Sequence, residues 1–216
     1  MLEPLPDRYR AVVFDMDGLL LDTETLWTHA EEELFRRHGA EFTFDDKLAV
    51  MGTTEDFTAR YYAERLGRPL AQGYELFEEM RKIMISLLQL QVQGRPGAIE
   101  LVDRLRGRVP LALASNSGRE IVDTALATAR LAEAFDAIVT ADDVSDGKPA
   151  PDIYLLACER LGVRPEDSLA LEDTPSGIAA AKAAGLACIA APQFAETDVS
   201  EADRVIDSLE ELLAET

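Results

Sequence analysis

Asp15-Met16-Asp17-Gly18 sets two carboxylates two residues apart, directly after the apolar run Ala11-Val12-Val13-Phe14. Like charges that close cost energy unless a proton or a cation compensates them. The pair therefore suits metal binding or proton transfer. Glu172-Asp173 is a second acidic pair, again directly behind an apolar run, Ser168-Leu169-Ala170-Leu171. Oxygen donors with no His or Cys nearby favour a hard cation, and Mg²⁺ is the usual companion of phosphate groups. Ser115-Asn116-Ser117 follows a third apolar run and offers hydroxyl, amide and helix-start N–H groups to an anion. Lys148 lies in a loop stiffened by Pro149 and Pro151, as a fixed cation would need. Each feature alone has an ordinary reading: a surface DxDG, a helix-start acid, an N-cap, a solvated lysine. Their occurrence in the chain order Asp15-Asp17, Ser115, Lys148, Glu172-Asp173, each behind a strand, is far more specific.

The elements that must position these groups alternate. Short buried strands are expected at 11–14, 109–114, 136–140, 168–171 and 187–190, with a last one at Val205-Ile206. Between them lie helices at 98–106, from the capping-box sequence Ser117-Gly118-Arg119-Glu120, from Pro151 to Gly162 and from Pro175 to Gly185, with a final helix Leu209–Ala214. The alternation predicts an α/β fold with a doubly wound parallel, Rossmann-like sheet. In such sheets ligands bind beyond the carboxyl ends of the strands, where Asp15, Ser115 and Glu172-Asp173 fall. The block from about 20 to 94 reads differently. It carries helical periodicity over 22–38, from an N-cap at Thr54 to Gly67, and over 74–90, with no convincing strand. The expected division is a core of 1–19 and 95–216 with a helical cap, 20–94, inserted after the first strand.

Composition narrows the partners. There are 21 Lys plus Arg against 41 Asp plus Glu, a net charge of −20. Such a surface repels nucleic-acid backbones. It also repels a phosphorylated ligand unless a cation and local basic groups reverse the field at the site. No run reaches the roughly 20 apolar residues that span a bilayer, and no leader is expected at the N-terminus. Cys158 and Cys188 stand alone in apolar stretches, which suits small buried side chains in a reducing cytoplasm.

With these motifs in this order, the sequence resembles the haloacid dehalogenase superfamily over nearly its whole length. The stretches DMDGLLLDTE, ASNS, DGKPAPDIY and LEDTPSGIAAAKAAG are most similar to its β-phosphoglucomutase-like phosphatases. The resemblance implies that Asp15 attacks phosphorus and becomes phosphorylated, while Asp17 protonates the leaving oxygen and then activates water. Mg²⁺ would be held by Asp15, the Asp17 carbonyl and Asp173, with Glu172 a ligand or a support for one. Ser115 and Asn116 would bind the phosphoryl oxygens, and Lys148 would neutralise the charge shared by Asp15 and the phosphoryl group.

Asp17 argues against dehalogenation, because halide leaves without a proton. Phosphonate cleavage needs a cap lysine after the glycine at position 52, and Lys47 precedes it. The phosphomutases carry an arginine soon after that glycine, where Thr53-Thr54-Glu55 stands, and a cap histidine where Trp27 falls. The expected activity is Mg²⁺-dependent hydrolysis of a small phosphorylated metabolite such as a sugar phosphate. The alternatives are a phosphomutase, or a non-catalytic binding protein on the same scaffold. Trp27, Gly52, Thr53 and Thr54 are the cap residues expected to face substrate, Trp27 being also readable as a cap-core aromatic.

Overall fold

The structure, a computed structural model, describes residues 4–51 and 53–216. A single turn, α1 (Leu5–Arg8), precedes β1 (Ala11–Phe14). Four helices follow: α2 (Glu24–Arg37), α3 (Phe44–Val50), α4 (Glu55–Arg65) and α5 (Gly73–Leu90). The chain then alternates through α6 (Ala98–Leu105), β2 (Leu111–Ala114), α7 (Arg119–Thr128), β3 (Ala137–Val139), α8 (Asp152–Leu161), β4 (Ser168–Glu172), α9 (Pro175–Ala184), β5 (Ala187–Ala190) and β6 (Arg204–Val205).

The six strands form one parallel sheet in the order β3-β2-β1-β4-β5-β6, as the alternation predicted. β1, β2 and β4 are buried along their whole length, as strands covered by helices on both faces must be. On one face Val13, Ala112, Ala114 and Ala170 pack with Ile153, Tyr154 and Ala157 of α8 and Ile178 and Ala181 of α9. Small strand residues there let the helices approach closely. The chain runs outward from β1 in both directions, to β2 on one side and β4 on the other, so the switch point lies at the end of β1. Register fixes what gathers there: Phe14 pairs with both Leu113 and Leu171, which sets Asp15 level with Ala114 and Glu172.

The chain divides into two compact units, 1–22 with 92–216 and 23–91. The sequence reading placed the crossings three residues nearer the core at each side. Residues 20–22 and 93–95 stay with the sheet because they pair with each other: Leu21 bridges Gly94, Asp22 N–H donates to the Gln93 carbonyl (2.8 Å) and Arg95 N–H to that of Leu20 (3.0 Å).

Within the helical unit the apolar stripes of α2 and α5 bury Leu34, Phe35, Met80, Met84 and Leu88. Phe35 meets Phe42 and Tyr62 edge-on, with ring centroids 5.0 and 5.6 Å apart. The short helix α3 was not foreseen. Its start is a reciprocal Thr43–Asp46 cap, using Asp where the familiar capping box has Glu or Gln. The expected C-terminal α-helix is instead a 3₁₀ segment, Leu209–Glu215. Three residues per turn bring Leu209 and Leu212 onto one side, and both are buried.

Candidate active site

β1 delivers Asp15 to the switch point just past its end, with the Asp15 N–H donated to the Leu171 carbonyl of β4 (3.0 Å). The chain then turns at Gly18, whose φ is +85°. A Cβ at that position would lie 2.3 Å from Asp173 Oδ2, so only glycine lets the Asp173 carboxylate approach this turn. Carboxylate oxygens of Asp15, Glu172 and Asp173 all lie within 4.8 Å of one another, and all three residues are buried.

One cation answers them. Lys148 reaches from the loop after β3 and is 4% exposed. Its Nζ donates to Asp15 Oδ1 (2.5 Å), Glu172 Oε1 (2.6 Å) and the Ala114 carbonyl (2.8 Å), which uses all three ammonium protons. Burial alone would lower the Lys148 pKa, but the charges of Asp15 and Glu172 outweigh it and push it up, so the group stays an ammonium. Burial, the largest influence, raises Asp15 well above the ordinary carboxylate range against the pull of Lys148, with Glu172 and Asp17 adding to the rise.

Glu172 is bound on every side. Oε1 takes Lys148 and the Tyr154 hydroxyl (2.6 Å), and Oε2 takes the Asp173 N–H (3.0 Å), the Thr174 N–H (3.4 Å) and the Thr174 hydroxyl (3.3 Å). It sits against the start of α9, where a Cβ on Gly177 would fall 1.9 Å from Oε1. Both Glu172 oxygens are thus engaged by protein donors, while one also lies within reach of the Asp15 and Asp173 carboxylates.

The DxD pair does not point one way. β1 ends before Asp15, and Asp17 carries its Oδ2 to the hydroxyls of Ser115 (3.1 Å) and Ser117 (2.8 Å). Its carboxylate stands outside the Asp15–Glu172–Asp173 group, so any part it takes in metal binding falls to its main chain. Ser117 is not the N-cap its sequence suggested. The helix begins at Arg119 behind Gly118, the Ser117 N–H goes to Ser115 Oγ (3.0 Å), and Asp142 Oδ2 receives the Arg119 N–H (2.8 Å). The serine hydroxyl is committed to Asp17 instead.

Asn116 was expected to hold phosphoryl oxygens. Its side chain clamps the backbone of Lys148, accepting the N–H at Oδ1 (2.8 Å) and donating to the carbonyl from Nδ2 (3.1 Å). That leaves the Asn116 main chain, beside Ser115, as its means of reaching an anion. In the helical unit, Trp27 is half-buried on α2, which fits neither a fully buried core aromatic nor a bare surface one. The Thr53 hydroxyl is spent on the Val50 carbonyl (2.8 Å) and Thr58 (3.0 Å), and Thr54 caps α4 by accepting from Phe57 N–H (3.4 Å). Gly52 lies outside the described residues. Lys47 is half-buried against Glu24 (2.8 Å) and Glu31 (3.5 Å), whose charges overcome desolvation and raise its pKa, so it is no free amine for a Schiff base.

Tyr154 was missed. It reads as one apolar position of an amphipathic helix, and only its phenol, six residues after Lys148, hinted at more.

The parallel sheet thus carries this acid and lysine cluster at its switch point, where ligands of such sheets bind. Residues 12–191 match the haloacid dehalogenase-like hydrolase family, and the chain belongs to it. It is 36% identical over 208 residues to a probable pseudouridine-5′-phosphatase of Drosophila melanogaster, covering 91% of this chain and 88% of that protein. It is 34% identical over 180 residues to the fructose-1-phosphate phosphatase YqaB of Escherichia coli, covering 83% and 95%. A solved structure of CbbY from Rhodobacter sphaeroides in complex with phosphate superimposes with a TM-score of 0.82 at 32% identity, covering 96% of this chain and 98% of that one. No helix among the described residues is long and apolar enough to cross a membrane.

Proposed function

We propose that this chain hydrolyses a small phosphorylated metabolite, a phosphomonoester of the sugar-phosphate kind, through a phosphorylated Asp15. The observation that carries the reading is Asp15 buried at a strand end, held at Oδ1 by the Lys148 ammonium. Both relatives named above are phosphatases. Asp15 attacks phosphorus, the bond from phosphorus to the ester oxygen breaks, and Asp17 supplies the proton that the leaving oxygen takes up. Asp17, now a carboxylate, draws a proton from water as that water attacks phosphorus, which frees phosphate and restores Asp15. Ser115 and Ser117, already in contact with Asp17, hold its carboxylate in place. Lys148 offsets the charge that gathers on Asp15 and the phosphoryl oxygens.

The residues fit a divalent cation. Three buried carboxylates, Asp15, Glu172 and Asp173, face one buried ammonium, which leaves two negative charges to balance. Mg²⁺ held by Asp15, Asp173 and the Asp17 carbonyl would supply that balance and further neutralise the phosphoryl group. Cys158 and Cys188 are both buried and neither is in a disulfide, in keeping with a cytoplasmic enzyme. With the Thr53 and Thr54 hydroxyls engaged locally, Trp27 is the side chain of the helical unit we assign to choosing the leaving group. The lack of an arginine soon after Gly52 favours transfer to water over transfer to a second sugar hydroxyl.

The test is phosphate release from a panel of phosphorylated metabolites with Mg²⁺. Asp15→Asn is expected to lower kcat by roughly 10⁴-fold or more, as loss of a covalent nucleophile does. Undiminished turnover in that variant would sink the assignment.

A further inference from the structure

Tyr154 is wholly buried in the third position of α8, among the apolar side chains between α8, α9 and the sheet. A phenylalanine would fill the same space. The hydroxyl is the only group that packing does not need, and burying it costs free energy unless it is bonded. Its bond goes to Glu172 Oε1 (2.6 Å), the same oxygen that accepts Lys148 Nζ at 2.6 Å. The ammonium also lies 5.2 Å from the centre of the Tyr154 ring. Tyr154 therefore touches both members of the ion pair, the carboxylate through its O–H and the ammonium through its π face.

Lys148 is shared between two carboxylates, and how it is shared matters. An ammonium drawn wholly onto Glu172 would leave Asp15 and the phosphoryl group uncompensated. A second donor on Oε1 takes up part of that oxygen's charge and fixes where it sits. We propose that Tyr154 is a positioning residue for the reaction: acting through Glu172, its hydroxyl holds Lys148 on Asp15. This rests on the phosphoryl-transfer reading above. It gives the phenol a task that neither a fold requirement nor the acid and lysine motifs supply.

Tyr154→Phe keeps the ring and removes only the donor, so it is the decisive variant. The expected result is a kcat lowered about tenfold, the worth of one hydrogen bond to a charged group, with KM within about twofold. Melting should stay within about 4 °C of wild type. In a Glu172→Gln background the same change should have no further effect on kcat, because its route is already cut. Unchanged or raised kcat in Tyr154→Phe overturns the proposal, as does an equal loss in both backgrounds. A fall in kcat accompanied by a much larger fall in melting temperature, matching Tyr154→Leu, also overturns it by showing a packing role. If Glu172→Gln does not fold, the kcat, KM and melting pattern of Tyr154→Phe against Tyr154→Leu decides alone. Asp15→Asn is run alongside: a silent Tyr154→Phe beside an inactive Asp15→Asn removes the positioning role and leaves the reaction intact.

Discussion

Among the described residues a lysine lies between two carboxylates in each unit, buried in one and half-buried in the other, and each time a tyrosine hydroxyl bonds one of the acids. In the sheet unit Lys148 joins Asp15 and Glu172, with Tyr154 on Glu172. In the helical unit Lys47 joins Glu24 and Glu31, with Tyr62 on Glu31 (3.0 Å). The parts are the same and the balance differs. Two acids against one lysine leave one charge over in the helical unit, and a proton can supply it: burial, opposed by Lys47 and Tyr62, pushes Glu31 from 4.5 to about 7. At the strand ends Asp173 adds a third buried acid, and the surplus of two suits a divalent cation. The Lys–carboxylate–Tyr arrangement thus occurs in both units. The excess acid at the strand ends sets one of the two apart as the candidate site.

Exchange of each lysine for methionine tests that contrast most strongly. Lys148→Met should lower kcat by about 10²–10³-fold, the usual loss when one preorganised charge partner is removed. Lys47→Met should leave kcat within a few-fold but cost up to about 3–5 kcal/mol of stability by urea denaturation, less where Glu31 takes up a proton. Equal kinetic losses from the two variants would break the comparison.

Glu31→Gln isolates the proton that balances the helical cluster. Because the folded pKa lies above the unfolded one, Glu31 stabilises fully below about 4.5 and loses that contribution as pH rises through about 7. Wild type should therefore lose on the order of 3 kcal/mol relative to Glu31→Gln between pH 4.5 and 8. Urea melts of both proteins across that range measure it, and parallel curves would show Glu31 to be an ordinary carboxylate. The smallest effect is expected from Tyr62→Phe, the counterpart of Tyr154→Phe. It should cost about 1 kcal/mol of stability and leave kcat unchanged, so a kinetic loss there would remove the distinction between the two tyrosines.

Much of this was legible in the chain. The β1, β4 and β5 runs announce buried parallel strands, and the acids behind them mark the strand ends. Gly162 and Gly185 close α8 and α9 where the pattern places them. The failures have local causes. Ser117-Gly118-Arg119-Glu120 has the spacing of a capping box, but Asp17, 100 residues away, claims the serine hydroxyl and Asp142 the Arg119 N–H. Asn116 sits beside Ser115 in the motif, yet its amide matches the N–H and C=O of Lys148 in the next loop. Helix α3 is only seven residues long, too short for periodicity to register.

The sequence by itself determined the class of sheet, the presence of a helical block after the first strand and which polar groups are candidates for the site. Apolar runs and residue chemistry are local properties, readable one segment at a time. Tertiary structure alone decided how the groups divide their hydrogen bonds: Glu172 to Lys148 and Tyr154, Asp17 to two serines, Asn116 to a backbone. Those choices depend on which polar atoms meet across β1, β2 and β4 in a medium where each buried donor and acceptor must find a partner. Parallel register sets that meeting, and no spacing along the chain encodes it.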